Sequence, residues 1–228
     1  MTPPESPPSE KPQTVDVWDL PTRLFHWGLV IAVTTSLLSE QIGEMDIHVI
    51  SGHVVLTLVL FRIVWGFVGG RHARFIDFVR GPSTVIRYAK SMFDGLHTSS
   101  VGHNPLGALS VIAILAILSV QVGTGLFAND DILIEGPLYE LVSKSTSDML
   151  TYYHRLSSNV LYGLIGLHLA AVAFYTFKGE KILGAMIHGT KEDVAPSESA
   201  GKSAKGSIVI ALVVVAISAT VAWFVFNY

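Results

Sequence analysis

The most informative stretch of this sequence is HRLSSNVLYGLIGLH, residues 154–168. Its two histidines, His154 and His168, stand fourteen residues apart within an apolar segment, 153–177, that is long enough to span a membrane. Fourteen residues make close to four turns of an α-helix, so both rings point from the same face. At a rise of about 1.5 Å per residue they lie about 21 Å apart along the helix axis. The stretch therefore predicts two histidine sites stacked across one bilayer, one in each leaflet.

The composition indicates a membrane protein and excludes several other classes. Of the 228 residues, 50% are apolar and 14% are charged, and the mean hydropathy is +0.51, whereas a soluble domain has about 25% charged residues. The absence of cysteine excludes a disulfide framework, a Cys-ligated zinc site, an iron–sulfur cluster and covalently attached c-type haem. A net charge of -3 gives no electrostatic basis for binding nucleic acid. The apolar content excludes a disordered or fibrous chain.

The sequence predicts an all-α integral membrane protein, because it contains several stretches of the roughly 20 apolar residues that a bilayer requires. The predicted spans are 20–38, 48–68, 105–127, 153–177 and 208–226. Residues 1–14 are Pro- and Glu-rich and lack the basic region and cleavage site of a signal peptide, so we interpret them as a disordered cytoplasmic tail. We then predict a main domain over residues 15–192, a linker over 193–206 and an additional C-terminal transmembrane helix over 207–228.

The basic residues predict the orientation of these spans. Twelve of the fifteen Lys and Arg residues fall in the N-terminal segment, the 69–104 connection and the connection after the fourth span. Only Lys144 lies in a loop on the other side, and Arg62 and Arg155 lie within or at the edge of spans. Since cytoplasmic loops carry the excess of basic residues, the N-terminus is predicted to be cytoplasmic and the C-terminus to lie on the far side.

The loops predicted on the far side are acidic. Residues 39–46 carry Glu40, Glu44 and Asp46, and the loop from 128 to 152 has five acidic residues against Lys144. Ordinary solvation of a loop is one explanation. The functional explanation is a docking surface for a basic partner, which complementary electrostatic fields would steer into place.

Histidines within spans are candidates for function, and four of them match in depth. The fourth span enters from the far side, so His154 lies at the depth of His48, which begins the second span. His168 lies deeper, at the depth of His26 near the cytoplasmic start of the first span. A lone histidine on an apolar face is usually a hydrogen-bonded core residue. Two facing pairs are a bis-His arrangement, which in a chain without cysteine suggests haem b held by axial ligation and apolar packing.

The competing residue for His48 is His53. The two are five residues apart, about 140° around a helix, so they cannot share a face. His48 is favoured because Gly52 follows one turn later and leaves room for a flat macrocycle. The remaining histidines fall in polar connections and are interpreted as solvated surface: His72, His97, His103 and His188.

Two arginines fit the same picture. Arg62 lies fourteen residues after His48, on the same face, and could pair with the propionates of an inner haem, although its side chain could also extend to the interface. Arg155 follows His154 and could serve an outer haem in the same way. Glycines that suit either haem packing or close helix approach stand at 123, 125, 163 and 166.

Five segments together resemble the bacterial cytochrome b561 family, which also contains the b-type cytochrome subunits of nickel–iron hydrogenases. They are VWDLPTRLFHW (17–27), HVISGHVVLTLVLFRIVWGFVGGRHARFIDFV (48–79), NPLGALSVIAILAILSVQVGTGLFANDD (104–131), GPLYELVSKSTSD (136–148) and HRLSSNVLYGLIGLHLAAVAFYTFKGEKILGAMIHGTK (154–191). The resemblance covers about residues 15–192 and includes four spans in order. The fifth span and the Pro-rich tail lie outside it.

The resemblance implies a four-helix transmembrane bundle in the bacterial inner membrane that holds two haem b groups. The family's four ligands fall on His26, His48, His154 and His168, and its second-span ligand precedes a glycine by four positions, here Gly52. It also implies electron exchange between quinone and a redox partner. Trp27, Trp65 and residues 71–78 are expected near the edge of the inner haem, but interface anchoring explains the tryptophans better, so quinone ligands are not assigned.

The leading functional hypothesis is transmembrane electron transfer between the quinone pool and a periplasmic cytochrome c or other redox protein. One alternative is a superoxide:quinone oxidoreductase acting alone, although an anion should dock on an electropositive surface and the far-side loops are acidic. Another is the membrane cytochrome b subunit of a hydrogenase-type complex. A metal permease is disfavoured, because the spans lack the carboxylates and soft ligands that such proteins use.

Overall fold

The computed structural model describes residues 13–93, 102–194 and 205–228, and this part of the chain is mostly helical. Most of the predicted tail (1–14) and linker (193–206), as well as His97, lie outside the described residues. In chain order the elements are β1 (Gln13–Asp16), α1 (Leu20–Gln41), α2 (Met45–Val68), α3 (Phe75–Phe78), α4 (Pro82–Phe93), α5 (Pro105–Gly125), a 3-10 turn (Tyr139–Leu141), α6 (Lys144–Phe177), α7 (Ile182–His188), β2 (Thr190–Val194) and α8 (Ile208–Phe226).

Short polar side chains begin the long helices. The Asp19 side chain accepts a hydrogen bond from the Thr22 amide at the start of α1, and Asn104 does the same for Gly107 at the start of α5. Pro21 and Pro105 follow these caps at first-turn positions, where a missing N–H costs nothing. Serines cap α6 and α8.

Two helical hairpins form the bundle. α1 packs along α2 after a tight turn at Gly43, whose φ of +79° is accessible to glycine. α5 packs along α6, and α2 joins the two hairpins through its contacts with α5. The buried core between them consists of Ala32, Val33, Val55, Val59, Leu118 and Leu161.

Four of the helices, α2, α5, α6 and α8, are long and apolar enough to cross a membrane. The predicted first span forms α1, but α1 is not among these four. Its sequence carries Arg23 and His26 near the start and Glu40 near the end, which lowers its apolar character. That α1 also spans the bilayer stays a prediction.

α8 lies antiparallel to α2 on its outer side. Gly206, just before α8, lies so close to Trp65 and Asp19 that an added Cβ would be 2.5 Å from the Trp65 ring. Near the other end of α8, the Ala222 carbonyl is 3.1 Å from Nε2 of His53 on α2. Small or medium side chains of α8 are buried along this contact: Ala211, Val214, Ser218 and Ala222.

The connections at one end of the bundle differ from the sequence-based expectation. Strands β1 and β2 pair antiparallel, so Gln13 and Thr14, predicted as the end of the tail, lie in a strand. His103, predicted to be solvated, packs its ring against Trp18 and Phe78 at centroid distances of 4.5 and 4.6 Å. His72 is half-buried beside it, and the pKa of its imidazole is lowered by burial and by Arg71. The prediction of a solvated surface was therefore wrong for both; His188 is exposed as expected.

Candidate functional site

The first histidine pair lies where α1 begins and α6 approaches its end. His26 of α1 and His168 of α6 face each other with ring centroids 6.5 Å apart and ring planes at 53°. We call these two residues the inner pair.

The second pair lies nearer the opposite end. His48, in the first turn of α2, and His154 of α6 have ring centroids 6.1 Å apart and ring planes at 89°. We call these two residues the outer pair. The structure thus brings together the residues that the sequence matched by depth, whereas His53 contacts α8 instead of another histidine.

The spacing within both pairs fits a metal held between two imidazoles. A metal–imidazole bond is about 2 Å, and a ring nitrogen lies about 1 Å from its centroid, so two opposed ligands place their centroids about 6 Å apart. Among the described residues, the helix pairs that pack closely do not include α1 with α6 or α2 with α6. The paired rings therefore meet across a gap between helices, as ligands of a group wider than one ion require.

Backbone carbonyls fix the tautomer of both outer rings. Nδ1 of His48 donates to the Ser36 carbonyl of α1 at 2.9 Å, and Nδ1 of His154 donates to the Gln121 carbonyl of α5 at 2.9 Å. A carbonyl oxygen can only accept, so Nδ1 carries the proton in both rings. Nε2 then keeps its lone pair, which is the form of imidazole that binds a metal.

The candidate glycines divide into different environments. No atom of the described residues lies within 4 Å of a Cβ built on Gly52, which leaves open space one turn from His48. A Cβ on Gly125 would lie 2.9 Å from Cε1 of His154, so this glycine makes room for a ring of the outer pair. Gly123 has open space around it, and Gly163 and Gly166 are exposed on α6.

The two candidate arginines differ in burial. Arg62 is 3% exposed, and its guanidinium lies over the rings of Phe75 and Phe78, 5.0 and 5.9 Å from their centroids. Arg155 is exposed beside His154. Only Arg62 is thus positioned by packing, through cation–π contacts with the connection that follows α2.

Buried polar atoms that have no hydrogen-bond partner gather at one end of the bundle. In the part of the chain that the structure describes, they are Oγ1 of Thr22, Nε of Arg23, Nδ1 of His26, Nη1 of Arg62, Nε1 of Trp65 and Nδ1 of His103. All six lie where α1 begins, α2 ends or α5 begins. Each such group costs about 1–3 kcal/mol if it stays unpaired. An acceptor-rich anionic group at this end would accept hydrogen bonds from donors such as Nη1 of Arg62, and haem propionates have that chemistry.

This end of the bundle also has a cavity of about 370 Å³ between the connection after α2 and the start of α5. Its lining consists of Arg71, His72, Ile76, Asp77, Phe78, Arg80, Gly102 and His103. Burial lowers the pKa of His103 to about 3. The nearby guanidinium of Arg62 and the imidazole of His72 also lower this pKa. Sequence reasoning missed His72 and His103. One sequence feature could have indicated the position of His103. It directly precedes Asn104 and Pro105, which begin α5 at the same end of the bundle as Arg62.

The two ends of the bundle differ in charge. The basic end, where α1, α5 and α8 begin, carries Arg23, Arg71, Arg74, Arg80, Arg87, Lys90, Lys178, Lys181, Lys191 and Lys205. The acidic end carries Glu40, Glu44, Asp46, Asp130, Asp131, Glu135, Glu140 and Asp148, with Lys144 and Arg155. Lys144 bonds to Asp131 and Asp148 there. Asp130 accepts backbone N–H bonds from Ile132, Leu133 and Ile134, which hold the pKa of its carboxyl below the usual value.

Comparisons with known proteins agree with the resemblance drawn from the sequence. The chain is 28% identical over 133 residues to a probable Ni/Fe-hydrogenase B-type cytochrome subunit of Rhodobacter capsulatus, covering 46% of this chain and 50% of that protein. It is 25% identical over 217 residues to the subunit so named in Rhizobium leguminosarum bv. viciae, covering 78% and 89%. The corresponding protein of Azotobacter chroococcum mcd 1 is 26% identical over 146 residues, covering 52% and 60%. No solved structure matches the chain.

A family model described as prokaryotic cytochrome b561 matches residues 17–189, from the residues before α1 to the end of α7. The match includes both histidine pairs and leaves out α8. Because it covers well over half of the chain, the resemblance is confirmed. The chain belongs to the prokaryotic cytochrome b561 family, and it is therefore a membrane b-type cytochrome that transfers electrons.

Proposed function

We propose that this cytochrome carries electrons across the bacterial inner membrane, between the quinone pool and a periplasmic redox protein such as a cytochrome c, through two haem b groups. The observation that carries the proposal is the pair of facing imidazoles at each of two depths, with ring centroids 6.5 and 6.1 Å apart. The two partners on α6 are fourteen residues apart, about 21 Å along its axis. Electron transfer between stacked sites would therefore cross most of the bilayer.

His26 and His168 would hold one haem, and His48 and His154 the other. Haem b supplies a one-electron couple, whose potential depends on its axial ligands, hydrogen bonds and burial. With two imidazoles to hold each haem, the pairs would support electron transfer rather than the binding of oxygen. Gly52 leaves space beside the outer pair, and Arg62 and Arg155 are cations placed for propionates of the inner and outer haem.

Arg62 has further support as a propionate partner. Its Nη1 is one of the six buried atoms that have no partner within the described part of the chain, as is Nδ1 of His26 in the inner pair itself. A buried guanidinium gains most from a carboxylate that accepts two of its hydrogen bonds. A carboxylate at this end would thus offset the cost of burying Arg62.

The proposed orientation places the basic end in the cytoplasm and the acidic end in the periplasm, according to the excess of Lys and Arg. In this arrangement α1 is a fifth span alongside α2, α5, α6 and α8, and α8 ends in the periplasm. Residues 15–192 form the dihaem domain, and α8, within 207–228, is an additional helix packed on α2. Membrane lipid surrounds the bundle, whose long helices expose many large apolar side chains.

The acidic end is the proposed docking surface for a basic periplasmic redox protein. Complementary charge speeds encounter and orients the partner. The same acidic field opposes the approach of an anion, so it does not favour superoxide as the substrate. Quinone would reach the protein through the bilayer, and we assign no residues to its site.

Spectroscopy of the purified protein tests the proposal. We expect two low-spin b haems per chain in reduced-minus-oxidised spectra and in pyridine haemochrome assays. A preparation that saturates at one haem, or that binds none, contradicts it. In liposomes that contain quinone, an external reduced basic cytochrome c or a chemically reduced quinone should then change the redox state of both haems.

A membrane subunit of a hydrogenase-type complex is the second candidate. It is favoured by the three relatives described above, each named as a probable Ni/Fe-hydrogenase B-type cytochrome subunit. Purification from the native membrane in mild detergent separates the candidates. If a metalloenzyme co-purifies in stoichiometric amount and reduces the haems, the hydrogenase-type complex is supported. If no such enzyme co-purifies and the haems exchange electrons rapidly with cytochrome c, the leading proposal is supported.

A further inference from the structure

Helix α5 carries no candidate ligand, yet it makes the closest contacts with one ring of the outer pair. Gln121 touches His154 at both ring nitrogens: its carbonyl accepts from Nδ1 at 2.9 Å, and its side-chain amide lies 3.2 Å from Nε2. The other end of that amide, Oε1, accepts a hydrogen bond from Ser157 on α6. In the haem-bound protein Nε2 would bind the iron, so two contacts of Gln121 remain. Its carbonyl accepts from Nδ1 of His154, and its Oε1 accepts from Ser157, and together they tie the ring and its helix to α5.

Gly125 holds the same ring from another direction. It lies one turn after Gln121 on α5, and a Cβ there would be 2.9 Å from Cε1 and 3.2 Å from Nδ1 of His154. The glycine lets the two helices approach until the Nδ1–Gln121 hydrogen bond can form. A larger residue would force the ring to tilt, because the carbonyl that fixes Nδ1 belongs to the same helix and cannot move away independently.

Among the described residues, the inner pair lacks this type of support. Nδ1 of His26 is buried without a partner, and its ring meets His168 at 53° instead of the 89° of the outer pair. The orientation of an axial imidazole is set by the partner of its other nitrogen. The contacts of α5 with His154, together with the Ser36 carbonyl on His48, therefore account for a difference between the two pairs that the ligands themselves, all histidines, do not explain.

We propose that Gln121 and Gly125 are positioning residues that hold His154 perpendicular to His48, and so give the outer haem electronic properties distinct from those of the inner haem. This inference rests on the proposed ligation by the four histidines. The angle between two axial imidazole planes determines the orbital splitting of low-spin ferric iron. The electron paramagnetic resonance signal of a near-perpendicular pair is accordingly more anisotropic than that of a pair closer to parallel.

The test compares Gly125→Ala with the matched control Val120→Ile, which adds a methyl group to an exposed side chain of the same helix. The wild-type protein should give two distinct low-spin ferric signals. Gly125→Ala should make only the more anisotropic signal shift or lose at least half of its intensity, whereas Val120→Ile should keep both signals. Because Gly125→Ala could prevent folding, Gln121→Leu is the second variant. It retains the backbone carbonyl but removes the hydrogen bond from Ser157 that joins α6 to α5, and it should shift the same signal and the midpoint potential of that haem alone.

Two outcomes overturn the inference. One is a wild-type outer signal in folded Gly125→Ala and Gln121→Leu; the other is an equal change of both signals in the two variants. A wild-type protein with fewer than two low-spin signals and fewer than two bound haems would instead contradict the proposed function, so the two failures are distinguishable.

Discussion

His168 faces His26 across the bundle with ring centroids 6.5 Å apart, although the two residues come from helices that do not pack closely among the described elements. Fourteen residues earlier on α6, His154 faces a different helix. One helix thus contributes a ring to each pair, and the pairs share no ligand. Removing one ring of a pair should therefore leave the other pair intact.

His168→Ala should abolish the inner haem and retain the outer haem. We expect the haem content to fall from two to one per chain, since a single axial imidazole leaves the inner group weakly held. Haemochrome assay and reduced-minus-oxidised spectra measure this change. His188→Ala, which removes an exposed histidine at the end of α7, is the control and should retain both haems. Loss of both haems in folded His168→Ala would contradict independent sites.

The pairing by depth could be predicted from the sequence because it depends only on helical periodicity and on the direction of each span. A fourteen-residue interval places His154 and His168 on one face in any α-helix. The spacing from His48 to Gly52 likewise depends on local geometry alone. These features can therefore be predicted without knowledge of the tertiary contacts.

The supporting contacts could not be predicted in the same way. The groups that fix the outer rings are the backbone carbonyls of Ser36 and Gln121, and every residue has a carbonyl. The burial of His103 arises because the connection after α2 folds over the start of α5. Strands β1 and β2 are short, polar and far apart in the chain, so no alternation in the sequence marks them.

The acidic end should control the rate at which a basic partner binds. Glu135→Gln combined with Glu140→Gln removes two exposed charges, and we expect association with a basic soluble cytochrome c to slow by about 3- to 10-fold at low salt. Stopped-flow kinetics measures the rate. The difference should vanish near 1 M salt, where the Debye length is about 3 Å. Arg87→Gln at the basic end is the control, and an equal effect from it would contradict this docking surface.

His103 should make the protein sensitive to acid. Burial, Arg62 and His72 lower the pKa of His103 from 6.5 to about 3, so between these values the unfolded chain binds a proton that the folded chain does not. His103 therefore does not lower the free energy of unfolding above about pH 6.5, and it lowers this free energy progressively as the pH decreases toward 3. His72, whose pKa is also lowered, acts in the same direction, while Asp77 and Asp19 oppose the shift at His72.

His103→Phe keeps an aromatic ring between Trp18 and Phe78 but cannot titrate. Thermal unfolding in detergent, followed by tryptophan fluorescence from pH 7.5 to 4, should show a smaller decrease for this variant than for the wild type. Parallel curves for the two proteins would show that His103 does not contribute to the acid sensitivity.

Gly66 should be intolerant of even one methyl group. A Cβ at this position of α2 would lie 2.0 Å from Cε2 of Phe75, the ring on which the Arg62 guanidinium stacks. Gly66→Ala therefore has to displace Phe75, and overpacking of this type costs about 1–3 kcal/mol. Thermal unfolding should occur several degrees lower than in the wild type, while Gly184→Ala on α7, where no described atom lies within 4 Å, should be neutral or stabilising. Because Phe75 positions Arg62, Gly66→Ala should also shift the midpoint potential of the inner haem. Unfolding temperatures that agree between the two variants, together with an unchanged inner potential, would contradict this packing.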